Sequence, residues 1–251
     1  MSNQDDWLVN YKKKPAASLL LYCLPYAGGS AGIYRAWGDM LPSWIELWAI
    51  ELPGRGTRWA EATVPDILTL SELISPILAR HIDRPFAIFG HSMGGLIGYE
   101  TTKNLIASAG KSPERLFISG CSPPHRRDDR EITSNLADDE FISILRTLNG
   151  TPPEILEDAE IMELTLPILR ADFLACDEYT TTDNLLLPCS LSAYGGLADP
   201  KVHPGDLKEW KGYTTGQFSL KMFEGDHFFL RNSLPTLIYN VGMELSSSLK
   251  P

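Results

Sequence analysis

Apolar runs of strand length alternate along the chain with segments whose apolar residues recur at helical spacing. "SLLLYCLP" (18–25), "IELWAIELPG" (45–54), "FAIF" (86–89) and "RLFISGC" (115–121) read as strands, "FAIF" as a short buried one. Helical patterns lie between them. Leu70, Leu73, Ile74, Ile77 and Leu78 fall at i, i+3, i+4, i+7 and i+8, which predicts one apolar helix face. "AGIYRAWGDML" and "GLIGYETTKNLIASAG" are also predicted as helices, the second closed by Gly110. This alternation predicts an α/β fold around a mostly parallel sheet.

From about Pro123 to Thr182 the strand pattern stops. "LADDEFISILRTLNG" aligns Phe141, Ile144, Leu145 and Leu148 on one helix ended by Asn149-Gly150. Thr151 precedes Glu154 at capping-box spacing, and Pro167 predicts a kink or a break. Strands resume with "LPCSLSAYGG" (187–196) and "FSLKMFEGDH" (218–227), with a short helix over Pro204 to Trp210 and a closing helix in "LPTLIYNVGMELSSSL". The expected architecture is one domain over 1–251, with a helical insertion at about 123–182. Such an insertion is either a lid or a second wall of the core.

Composition narrows the function. The 251 residues carry a formal charge of −10, which argues against broad nucleic-acid binding. No stretch approaches the roughly 18 to 20 apolar residues of a membrane span. The N-terminus is polar, without the apolar core of a secretory signal, so a cytoplasmic protein is expected. Cys23, Cys121, Cys176 and Cys189 are widely spaced, which predicts thiols rather than a disulfide framework or a metal site.

The candidate chemistry lies in "FGHSMGG" (89–95), where Gly90 to Gly94 match G-x-S-x-G around Ser92. A predicted strand precedes it and a predicted helix follows, the context a nucleophile elbow needs. In this fold the order is nucleophile, acid, base. His81 ends a predicted helix and reads as a surface residue; His91 belongs to the elbow, His125 opens the insertion, and His203 leaves no room for an earlier acid. His227, in "EGDHFFL" just past a strand, is the expected base. Asp199 is the expected acid, on the loop after the strand ending at Tyr194, with Asp177, Glu178 and Asp183 as poorer alternatives. Asp226 adjoins His227 too closely to fold back onto its ring. Oxyanion donors are expected from the backbone of Met93, after the nucleophile, and of Ala27 in "LPYAGGSA", with Tyr26 next.

Together "LPYAGGSA", "ELPGRG", "FGHSMGG", "LTLPILRADF" and "EGDHFFL" resemble the type II thioesterases of nonribosomal peptide and polyketide synthesis, relatives of the medium-chain thioesterases of fatty-acid synthesis. The resemblance runs from about residue 18 to 245. It implies an α/β-hydrolase fold with Ser92, Asp199 and His227 as catalytic triad, Ala27 and Met93 as oxyanion donors, and a mobile lid over 123 to 182. It also implies hydrolysis of acyl or aminoacyl groups from the phosphopantetheine arm of carrier domains, an editing role. A thioester has a good leaving group, so a serine–histidine pair with an oxyanion hole suffices without metal or organic cofactor, and a monomer is expected. Ala198 departs from the family, which often has a second acidic residue there. A medium-chain acyl-carrier-protein thioesterase, a cytosolic carboxylesterase or lipase using the same triad, and a non-catalytic binding module that retains the fold remain as alternatives. Arg126, Arg127 and Arg130, interleaved with Asp128, Asp129 and Glu131, read equally as a docking patch for an acidic carrier and as a solvated mixed loop; Lys12–Lys14 is a second basic candidate.

Overall fold

The computed structural model describes residues 4–126, 132–151, 153–181 and 185–248. Its strands are β1 (Leu8–Val9), β2 (Leu19–Leu24), β3 (Ile45–Ile50), β4 (Phe86–His91), β5 (Arg115–Ser119), β6 (Ser190–Gly196) and β7 (Phe218–Phe223). They form one sheet in the order β1-β3-β2-β4-β5-β6-β7. The two-residue edge strand β1 pairs antiparallel with β3, and the other pairings are parallel. The helices are α1 (Trp37–Met40), α2 (Ile67–His81), α3 (Met93–Ala109), α4 (Asp138–Leu148), α5 (Pro153–Glu157), α6 (Ala159–Asp177), α7 (Pro204–Glu209), α8 (Phe229–Asn232) and α9 (Leu234–Ser248).

The consecutive apolar residues of β2 have a simple use. Leu20, Tyr22 and Leu24 join the core layer beneath α2 and α3, whereas Leu19, Leu21 and Cys23 join the layer beneath α1 and α9. Side chains alternate along a strand, so a sheet covered on both faces needs apolar residues at every position. The insertion between β5 and β6 packs a smaller cluster of its own around Phe141, Leu145, Leu156, Met162 and Leu169.

Three expectations change. The helix read over "AGIYRAWGDML" divides into a 3₁₀ turn, Ala31–Tyr34, and the single turn of α1. Tyr34 is buried and donates its hydroxyl to the Leu24 carbonyl at 2.6 Å, which draws this segment across the end of β2. On α2 the inward stripe is Ile67, Leu70, Ser71, Ile74, Ser75 and Leu78, and Leu73 is exposed. Ser71 can be buried because its hydroxyl donates to Leu68 and accepts from Asn104 of α3 at 3.0 Å. Finally, α6 runs through Pro167 without a break. Pro167 is exposed, so the carbonyl its ring deprives of a partner lies on the solvent side.

Candidate active site

Ser92 is the last residue before α3 and has φ 54° and ψ −118°. A positive φ in a residue with a Cβ is strained, and it persists here because neighbours leave no other path. The Ser92 N–H donates to Ser119 of β5 at 2.7 Å, and its carbonyl accepts from Gly95 at 2.9 Å. A Cβ at Gly90 would overlap the Gly94 carbonyl, and one at Gly94 would overlap the Leu24 carbonyl. The two glycines therefore allow β4 to turn sharply into α3 against the end of β2.

The acid and base sit on neighbouring loops. His227 Nδ1–H donates to Asp199 Oδ2 at 2.7 Å. Asp199 Oδ1 accepts the N–H groups of Lys201 at 2.8 Å and Val202 at 3.2 Å, so the carboxylate is held from both sides. Both side chains are nearly enclosed, His227 at 8% exposure and Asp199 at 0%. Backbone bonds from Leu197 to Phe223 and from Ala198 to Gly225, at 2.8 and 2.9 Å, tie the two loops together. The other acids are committed elsewhere. Asp226 accepts from the Phe228 N–H and from Asn149; Asp177 accepts the N–H groups of Thr133 and Ser134. Glu178 is exposed at the end of α6, and Asp183 lies outside the described residues.

Ser92 and His227 line one cavity of about 290 Å³ together with Ala27 and Met93. Met93 opens α3, where the first backbone N–H groups have no partner within the helix. Tyr26 is not among the residues that line this cavity; its hydroxyl accepts from Arg231 at 2.9 Å. The far wall is apolar, with Ile144 and Leu148 of α4 and Phe173 of α6. The structure thus gathers Ser92, Asp199, His227, Ala27 and Met93 at one end of the sheet.

The remaining histidines have local partners. His81, expected at the surface, is half-buried against Trp48, with Tyr22 Oη 2.7 Å from its Nδ1. His91 is fully buried 5.2 Å from the His227 ring centroid, with Nδ1 2.8 Å from Ser119 Oγ. Burial, with a lesser contribution from the neighbouring His227 ring, pushes the His91 pKa well below the usual histidine range. His125 pairs with Tyr213 and Glu209, and His203 caps α7. Burial raises the Cys23 thiol well above its usual range and the Cys189 thiol to about 12, so neither supplies a ready thiolate. Among the described residues no group of three or more His, Cys, Asp or Glu is placed to hold a metal.

Three of the basic candidates are engaged within this chain. Arg126 forms an ion pair with Glu209 of α7, which lowers the Glu209 carboxyl to about 2, chiefly through that hydrogen bond. Arg127 and Arg130 lie outside the described residues. Lys12 pairs with Asp39, and the Lys14 ammonium donates to the Leu41 and Pro42 carbonyls. One buried pair was not read from the sequence as part of the site: Arg55, in "ELPGRG", and Asp172, in "LRADF". The available signal was Asp172 itself, a charge three residues after Leu169 on a face that turns inward, which requires a partner.

The parallel sheet, the elbow at Ser92 and the loops carrying Asp199 and His227 define an α/β-hydrolase. Within that class the chain belongs to the thioesterase family, whose domain model matches residues 20–244, and it is an enzyme that hydrolyses thioesters. It is 39% identical to linear gramicidin dehydrogenase LgrE of Brevibacillus parabrevis over 97% of this chain and 94% of that protein. It is 38% identical to gramicidin S biosynthesis protein GrsT of Aneurinibacillus migulanus, over 100% of this chain and 98% of that one. The type II thioesterase BorB from the borrelidin biosynthetic cluster superposes with a TM-score of 0.88 at 33% identity, covering 100% of both chains. These relatives place it with the stand-alone type II thioesterases of nonribosomal peptide and polyketide pathways. Among the described residues no helix is long and apolar enough to cross a membrane.

Proposed function

We propose that the enzyme removes acyl or aminoacyl groups from the phosphopantetheine arm of carrier domains, an editing role, through an acyl-enzyme on Ser92. The observation that carries this reading is the Asp199–His227 pair on the cavity that Ser92 also lines. Because Nδ1–H is donated to Asp199, the Nε2 lone pair of His227 is the one available to take a proton. His227 accepts the Ser92 hydroxyl proton as Oγ attacks the thioester carbonyl, and the negative charge on the carbonyl oxygen is met by the Ala27 and Met93 N–H groups. Collapse breaks the C–S bond, and His227 returns the proton to the departing thiolate. Water then attacks the acyl-serine with His227 again as base, releasing the acid and restoring Ser92. No metal or organic cofactor is required, since a thiolate leaves readily.

In this reading α4 and α5 form the movable part of a lid over the acyl cavity, and the enzyme works as a cytoplasmic monomer. The name of the gramicidin relative does not carry a hydride transfer to this chain. The loop after β2, "AGGSAG", lacks the G-x-G-x-x-G turn that seats a dinucleotide pyrophosphate at a helix N-terminus.

The test is a hydrolysis panel of carrier-bound acetyl, malonyl, aminoacyl and medium-chain groups, run beside oxygen esters of equal chain length. The expected result is turnover of carrier thioesters at a kcat/KM well above that of the esters. Preference for oxygen esters would return the chain to the esterase alternative, and failure of a fluorophosphonate to label Ser92 would end the acyl-enzyme reading.

A further inference from the structure

Asp172 and Arg55 lie outside the proton path, yet both reach the loop that carries Ala27. Residues Tyr26 to Gly29 form a β-turn closed by the Gly29 N–H on the Tyr26 carbonyl at 2.8 Å, with Gly28 at φ +74°. A positive φ at the third position is the mark of a type II turn, in which the peptide between the second and third residues is reversed relative to type I. That reversed peptide, Ala27–Gly28, presents its N–H to Asp172 Oδ2 at 2.7 Å. Arg55 binds the same carboxylate with two nitrogens, Nη2 to Oδ1 at 2.8 Å and Nη1 to Oδ2. Arg55 Nη1 also donates to the Gly29 carbonyl at 3.5 Å, a second contact with the same turn. Arg55 and Asp172 are 6% and 1% exposed. Leu169, one helical turn before Asp172, fills the space where a Cβ at Gly28 would stand.

We infer that Asp172 and Arg55 are positioning residues for the oxyanion loop: α6 of the insertion holds the turn in the form that directs the Ala27 N–H to the reacting carbonyl. The inference rests on the thioester-hydrolase reading of the cavity. Competence of the oxyanion hole then depends on the seating of an element outside the sheet. The C-terminal half of α6 is a fixed part of the catalytic apparatus, and motion of the insertion falls to α4 and α5.

Two variants test this with a short acyl thioester of N-acetylcysteamine, which needs no carrier. Asp172→Asn keeps an acceptor for the Gly28 N–H but loses the charge that strengthens the bond. Its kcat should fall about tenfold with KM within about threefold of wild type. The double variant Asp172→Leu/Arg55→Met replaces a buried ion pair by apolar groups, an exchange that is often neutral or stabilising. It should unfold near the wild-type temperature while kcat falls about 100-fold, the scale of losing one oxyanion donor. The Ki of a trifluoromethyl ketone with the same acyl chain should rise by the same factor, because that inhibitor binds as a tetrahedral oxyanion. A purely structural pair would leave the stable double variant with normal kcat. Wild-type kcat in Asp172→Asn, or a loss confined to KM in the double variant, overturns the inference. Absence of thioester hydrolysis in the wild type would instead overturn the functional reading beneath it.

Discussion

At Ser92 the chain accepts a backbone conformation that costs roughly 1–3 kcal/mol for a residue with a side chain. Chemistry and stability are therefore opposed at this position. Ser92→Ala should abolish hydrolysis, and Ser92→Gly should do the same while matching or exceeding wild-type stability, since glycine relieves the strain; urea midpoints beside turnover check both. His227→Ala should be nearly as damaging as Ser92→Ala, without further loss when the two are combined. Asp199→Asn should reduce kcat about 10⁴-fold, because an amide at 2.7 Å from Nδ1 no longer fixes the tautomer. Turnover close to normal would move the acid elsewhere. The neighbouring His91 supplies a pH prediction. Its folded-state pKa lies well below 6.5, so the unfolded chain binds the proton first as pH falls. The stabilising contribution is present above the unfolded pKa and is lost below it, at about 1.4 kcal/mol per pH unit until the folded pKa is reached. Chemical denaturation between pH 7 and 5 should show this slope, reduced in His91→Gln; identical slopes would remove His91 as its source.

At the scale of elements, exchange of backbone amides should divide the insertion. The α4 and α5 amides are expected to exchange faster than those of β4 and β5, while α6 from Leu169 to Asp177 exchanges slowly, held by Asp172 on Gly28 and by Asp177 on Thr133 and Ser134. Uniform protection across all three helices would contradict this division. The same elements mark what the sequence disclosed. β2 to β7, α3 with its Gly110 cap, α4 with its Asn149 cap and α9 follow from runs, periods and caps, which are local signals. Ser92, Asp199 and His227 were legible because each follows a segment that reads as a strand, an unbroken apolar run in β4 and a more alternating pattern in β6 and β7. The division at Tyr34, the inward turn of Ser71 and the continuity of α6 through Pro167 were not legible, since each is decided by what packs across from it. The Arg55–Asp172 pair, 117 residues apart in sequence, has no local signature beyond an unexplained charge on an inward face.

Across the whole molecule, a charge of −10 would face the acidic carrier domains that the proposed function calls for. Arg126, Lys12 and Lys14 are tied to acidic groups or carbonyls of this same chain. Long-range repulsion is therefore expected to prevail, and raising salt from 20 to about 150 mM should increase kcat/KM for a carrier-bound substrate by screening it over about 8 to 10 Å. The N-acetylcysteamine thioester should show no such change. A fall with salt for the carrier-bound substrate would point to a basic docking patch after all.

The small cluster around Phe141, Leu145 and Leu156 gives the insertion a packing centre separate from the two layers of the sheet. It enters and leaves the domain between adjacent parallel strands, β5 and β6. Such a segment behaves as an exchangeable cassette: a relative's insertion can carry its own acyl selectivity onto this sheet without disturbing the elbow. Beyond the packing of Ala175 and Tyr179 into the sheet's core layer, the graft has two joints near the catalytic loops to respect. One is the carboxylate that meets Arg55 and Gly28, and the other is the Asn149–Gly150 turn, which Asn149 and Arg231 fasten to the loop bearing His227. A donor segment matched at both joints inherits the chemistry of its new host; one matched at neither brings its pocket and leaves the catalysis behind.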